Sequence, residues 1–181
     1  MERIAKRASA NMRMLYHYFG GKESLYAVVL ERMYAKIRGE EAQLDLEHID
    51  PIEGMARLAD FTFSHFARNP EFIKLIATEN MLKGRYLQKS KTIPGLTMPL
   101  ENAIRDLLRR GEEAGVFRAG VDPIQLYVTI TAVSYLHVSN RYTLSAMFRK
   151  DLSDPKWLAT RRAHARDVVL SYLRPQALQT K

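Results

Sequence analysis

The sequence predicts an all-α protein: a small helix-turn-helix head on a larger helical body. Three observations carry this reading. Apolar residues recur at three- and four-residue spacing along most of the 181 residues, and no segment alternates like a strand. Four times a short acid or amide precedes proline, at Asp50-Pro51, Asn69-Pro70, Asp122-Pro123 and Asp154-Pro155. Each pair joins a good N-cap to a proline at the first helical position, where the missing N–H is not needed. The front of the chain, Met1 to Arg38, is basic, with eight Lys and Arg against three acids.

The head comes first. Ile4, Ala5 and Ala8 give a short first helix its small and apolar contacts, and Ser9-Ala10 make the turn. Asn11 is placed to cap the next helix by accepting from an orphan N–H of its first turn. That helix is predicted over Met12 to Phe19. Leu15 and Phe19, four apart, share its buried side, and Arg13, Tyr16 and His17 fall elsewhere. Gly20-Gly21 end it, and Lys22 opens a third helix. A lysine opposes the positive end of a helix, so its placement reads as functional: free amides plus a cation form a phosphate site.

These residue types fit a DNA groove. The N-terminal part of the second helix of such a motif reaches base edges, and the Arg13 guanidinium can bond a guanine bidentately. The Tyr16 and Tyr18 hydroxyls suit phosphates, which position a protein without reading sequence. The DNA-contact set is Asn11, Met12, Arg13, Tyr16, His17, Tyr18 and Lys22.

The body is a string of helices. Leu25, Val28, Val29 and Met33 mark a helix from Lys22 to about Leu44, and Ile52, Met55, Ala59, Phe63 and Phe66 mark the next. Leu100, Ile104, Leu107, Leu108 and Gly111 form a third stripe, and Leu158, Ala165, Val168, Val169 and Tyr172 the last. Pro123 to about Phe148 is apolar nearly all round, as a central or interface helix would be. Ser90 to Pro99, with Pro94 and Gly95, is expected to be a flexible loop, and Gln176 to Lys181 a frayed tail. In the phrase GEEAGVFRAGVDP, Gly111 to Pro123, Gly115 can end a helix in the left-handed region, Phe117 folds back on the core and Asp122 caps the next helix.

The string LYHYFGGKESLYAVVLE, Leu15 to Glu31, resembles the end of the DNA-binding domain of the TetR/AcrR family of transcriptional regulators, and the likeness runs from Ile4 to about Tyr34. The Gly-Val-Phe to Asp-Pro phrase is a second, weaker likeness. The resemblance implies that Arg13 lies among base-contacting positions and that Tyr16, Tyr18 and Lys22 meet mainly phosphate. It implies a pseudo-palindromic double-stranded operator, and a homodimer through 123–148 and 155–173. It also implies a small-molecule effector pocket among the central helices, for which Phe61, His65, Glu79, Asn80, Tyr135, His137, Asn140 and Arg141 are candidates. The implied function is a repressor released from its operator by ligand. The domains expected are 1–38, head and connecting helix, and 39–181, ligand binding and dimerisation. Two departures stand out. Ser9-Ala10 replace the family's usual Gly-Val at the turn, and the family has a helix ahead of Ile4, expected here from a preceding segment.

Other classes are weaker. The chain has no cysteine, which excludes disulfides, thiolate metal sites and cysteine nucleophiles and fits a reducing cytoplasm. His17, His48, His65, His137 and His164 are scattered outside any metalloprotease, nucleophile-elbow or phosphate-loop motif, leaving only a His65–Glu79 acid–base pair for an enzyme. No cofactor or metal site is read. A helical small-molecule-binding or interaction protein that no longer binds DNA is the alternative. The net charge of +8 suits a polyanionic partner, and the signatures of common RNA modules are missing.

Overall fold

A computed structural model describes residues 1–175; the tail expected at 176–181 lies outside the described residues. The order is α1 (Glu2–Arg7), α2 (Met12–Phe19), α3 (Lys22–Glu41), α4 (Pro51–Arg68), α5 (Pro70–Met81), α6 (Ile93–Glu113), α7 (Pro123–Ser139), α8 (Arg141–Phe148) and α9 (Pro155–Leu173). Short 3₁₀ turns at Ala42–Leu44 and Leu87–Lys89 follow α3 and precede α6. No strand occurs among the described residues.

Helix α4 is the centre of the body and packs on α6, α7 and α9. Met55 and Leu58 on α4, Leu107 on α6, Ile130 on α7 and Val169 and Leu173 on α9 are fully buried together. A second cluster joins Ile37 of α3 to Phe66 of α4 and Phe72 and Ile73 of α5. Gly54 lets α4 approach α6: a Cβ there would lie 2.5 Å from a Leu107 methyl.

The acid–proline starts behave as expected at three sites. Asp50 accepts from the Ile52 and Glu53 amides, Asp122 from Gln125 and Asp154 from Trp157. Asn69 does not cap. Its amide donates to the His65 carbonyl and its oxygen takes the Lys36 ammonium, so it ties α4 to α3 instead. Gly115 takes φ 68°, and Phe117 folds onto the Gly111 face of α6.

Several expectations need correction. Of the segment 90–99 only Ser90 to Thr92 lie outside a helix, because α6 starts at Ile93 and carries Pro99 inside it. Pro94 sits in the first turn, where a proline loses no bond. Pro99 removes only the N–H that would reach Gly95. The apolar run 123–148 is two helices, broken at Asn140. The buried side of α3 is Leu30, Ile37 and Glu41, while Val29 is exposed. Ile52, Val168 and Tyr172 are likewise exposed at their stripe edges. Helix α3 runs unbroken through residue 38 from head to body, in keeping with the helix expected from Lys22 to about Leu44.

Candidate DNA-binding face and body cavity

Helix α2 is held as a surface rod. Its Asn11 cap accepts from the Arg13 amide at 2.8 Å, and Gly20 ends it at φ 69°. No residue of α2 is fully buried. Leu15 and Phe19 are half-buried against the head, and Asn11, Met12, Arg13, Tyr16, His17 and Tyr18 are exposed. Tyr18 is 71% exposed, far more than a semi-buried core aromatic would be. Its ring meets His17 edge-on at 5.4 Å. Lys22 is exposed at the first turn of α3, whose cap residue Gly21 offers no side chain to the free amides. All seven expected DNA-contact residues are therefore solvent-facing on α2 and its two ends. Ser9 turns at φ 49°, a left-handed position where glycine would be unstrained.

A strap fixes α3 beside the head. The Glu79 carboxylate, 1% exposed, accepts from the Tyr86 and Leu87 amides at 3.1 Å each. Tyr86 then lies on Tyr26 of α3 at 4.8 Å. Burial, with Glu79 close by, pushes the Tyr26 hydroxyl up to about 12. The Ser90 hydroxyl donates to Glu31 at 2.6 Å.

The eight expected effector residues are placed at several points of the body. Glu79 anchors the strap, and Asn80 and Asn140 are exposed. His65 is buried at 2.9 Å from Glu40, and burial lowers its pKa against the pull of that carboxylate. Phe61 lies 5.7 Å from His65, and Tyr135 packs on Phe66. His137 stacks on Phe63 at 4.4 Å with neither ring nitrogen bonded, and burial pushes it down to about 4. Arg141 bonds the neighbouring Tyr142 hydroxyl.

The more enclosed space is a cavity of about 530 Å³ between α3, the 42–47 connection and α6. Ala35, Leu46, Leu96, Pro99, Leu100 and Ala103 make it mostly apolar. Two buried charges enter it, Arg38 and Glu41, paired at 2.6 Å. Arg38 also donates to the Tyr127 hydroxyl at 2.8 Å. Arg110 holds the connection by donating to the Leu46 and Ile49 carbonyls. Sequence reasoning missed Arg38 and Glu41. The available signal was phase: Glu41 lies four residues after Ile37, on the buried side of α3.

Two family models match parts of the chain. Residues 1–29 match the model of bacterial regulatory proteins of the tetR family, and residues 51–169 match the tetracyclin repressor-like C-terminal domain. The HTH-type transcriptional repressor NicS of Pseudomonas putida is 34% identical over 96% of this chain and 82% of its own length. The HTH-type transcriptional repressor SCO4008 of Streptomyces coelicolor is 30% identical over 74% of this chain and 65% of its own. The solved structure of SCO4942 of Streptomyces coelicolor superposes with a TM-score of 0.66 at 24% identity, over 95% of this chain and 85% of that one. The fatty acid degradation regulator FadR of Bacillus halodurans gives 0.60 at 20% identity, over 94% and 87%. These last two show the shared fold. No helix among the described residues is long and apolar enough to cross a membrane. The chain belongs to the TetR family, and is a DNA-binding transcriptional regulator rather than an enzyme.

Proposed function

We propose that this chain is a repressor that sits on a pseudo-palindromic operator as a homodimer and leaves it when a small molecule enters the body. The observation that carries the reading is the exposed α2, with Arg13, Tyr16, His17 and Tyr18 bare to solvent and Lys22 at the start of α3. Arg13 reads a base edge; the tyrosines, Lys22 and the α3 amides take phosphate. Residues 1–38 act as head and connecting helix, and 39–181 as the effector and dimer body. Two relatives named as repressors support the sign of regulation.

An apolar stripe on the outer face of α7, Ile124, Val128 and Leu136, supports dimerisation, as do Val168 and Tyr172 on α9. All five are large and solvent-exposed in the single chain. A twofold pairing of these helices sets two α2 rods about one DNA turn apart. Helix α3 belongs to both head and cavity wall, so a ligand that fits only one tilt of α3 shifts the population away from the DNA-bound spacing.

The test is a gel shift on the DNA upstream of its own gene at two salt concentrations. Arg13→Ala should relax sequence preference, whereas Lys22→Ala should weaken all sequences and flatten the salt dependence. Weak, salt-sensitive binding indifferent to Arg13 would reject the assignment of α2 as reader.

A further inference from the structure

We propose that the cavity between α3 and α6 takes an apolar ammonium, an amine or quaternary nitrogen on a hydrophobic body, with Glu41 as its counter-ion. This deepens the proposed effector role and rests on it.

The polar lining selects the sign of charge. Glu41, Asp45 and Glu47 line the space with a single cation, Arg38; Asp45 is paired with His48 outside the lining, which leaves Glu41 as its buried acid. That cation is already engaged: its guanidinium pairs with Glu41, donates to Tyr127 and lies 5.6 Å over the Tyr127 ring. Glu41 is 4% exposed; the Arg38 guanidinium lies 2.6 Å from one of its oxygens, and the other has no partner. A buried carboxylate oxygen without a donor is costly, and a ligand N–H or ammonium is what relieves it. Burial accordingly holds Glu41 up at about 7 despite Arg38. A second cation brought beside it restores the carboxylate form.

The opposite wall adds a second acceptor and no charge. Pro99 has no N–H, so the Gly95 carbonyl lacks its helical donor, and both residues line the space at its solvent-exposed mouth. Gly95 has no side chain to cover that carbonyl. Around these acceptors Leu96, Leu100 and Ala103 offer only hydrocarbon. Acceptors on two walls within an apolar lining match a donor-bearing cation with a greasy body.

The experiment uses the full chain without DNA and three probes of one shape: adamantylmethylamine, adamantylmethanol and adamantanecarboxylate. Isothermal titration should show saturable binding of the amine, at least about tenfold tighter than the other two. Glu41→Gln should bring the amine level with the alcohol. Leu96→Trp, which fills the space without touching the ion pair, should weaken the amine while leaving the urea midpoint in place. Preference for the carboxylate, equal binding of all three, no binding, or unchanged amine affinity in either folded variant would each overturn the proposal. Should Glu41→Gln fail to fold, the probe ranking and Leu96→Trp still decide it. A gel shift separates the two readings. An amine that binds but leaves the operator complex intact removes its effector role and keeps the site. Absence of specific DNA binding by the ligand-free protein removes the repressor reading alone.

Discussion

Gly111→Ala should destabilise the protein although alanine is the better helix former. A Cβ built at Gly111 lies 2.6 Å from both Cγ and Cε2 of Phe117, and closer still to Cδ2. Carbon pairs rest at about 3.5–4.0 Å, so the ring must move. It has little room, since Phe117 is 5% exposed within the main core. Displacing a buried phenylalanine loses about 1.5–3 kcal/mol. Alanine returns about 1 kcal/mol of helix propensity. The net expectation is about 0.5–2 kcal/mol of destabilisation, or about 0.25–1 M in urea midpoint at a slope near 2 kcal/mol/M. The sign should reverse when the ring is gone. In a Phe117→Ala background, Gly111→Ala keeps only its propensity gain and should be neutral or stabilising by up to about 1 kcal/mol. The assay is urea unfolding of the four proteins at one protein concentration, because dimerisation makes stability concentration-dependent. Gly111→Ala stabilising in both backgrounds would falsify the close packing of Phe117 on α6. The contact matters beyond stability, because the turn it closes sets where α7 begins.

Three further outcomes are expected, beside those for Arg13 and Lys22. Val128→Arg places a charge at a 57% exposed site on the outer α7 stripe, so light scattering should report a monomer and the operator shift should vanish. His137, held at about 4 against an ordinary 6.5, favours the neutral folded form; its stabilisation is full above pH 6.5 and lost as pH falls toward 4. His137→Phe, which preserves the stack on Phe63, should therefore spare about 2 kcal/mol of the stability lost between pH 7 and 5, read from urea midpoints. Ser9→Gly removes left-handed strain at φ 49°, and amide exchange in α1 and α2 should slow about fivefold, as a relief of about 1 kcal/mol implies; unchanged exchange would mean the turn is not strained.

The head was legible residue by residue because its signals are local. Asn11 caps through its own side chain, Gly20 supplies positive φ, and α2 occupies Met12 to Phe19 as its pattern implied. The failures are tertiary. Pro94 and Pro99 look like loop residues until α6 packs, and one missing N–H does not outweigh the burial of Leu100, Ile104 and Leu107. Asn69 looks like a cap, but Lys36 and the His65 carbonyl engage its side chain from another direction. The apolar run after Pro123 conceals its break at Asn140, since hydrophobicity on every face leaves no phase to lose. The effector candidates were chosen as polar residues on apolar helices. That criterion equally selects polar groups used for structure, such as Glu79 holding the strap.

The same distinction bears on Arg38 and Glu41. A buried ion pair is weak grounds for stability, because desolvation offsets most of the attraction and apolar residues of similar volume often serve as well. Glu79, the other buried carboxylate, takes two backbone amides on one oxygen; Glu41 has only the Arg38 guanidinium, 2.6 Å from one of its oxygens. The two lie toward opposite ends of α3. The Glu79 strap grips the half beside the head through Tyr26, and Ser90 grips Glu31, while Glu41 faces the cavity at the helix end. A rod held near one end and loaded near the other tilts about the held point. On the proposed amine site, a cation beside Glu41 would load the end of a helix that is already anchored beside the head, and any tilt of α3 would reach α2 and its DNA-facing side chains only through that anchored end.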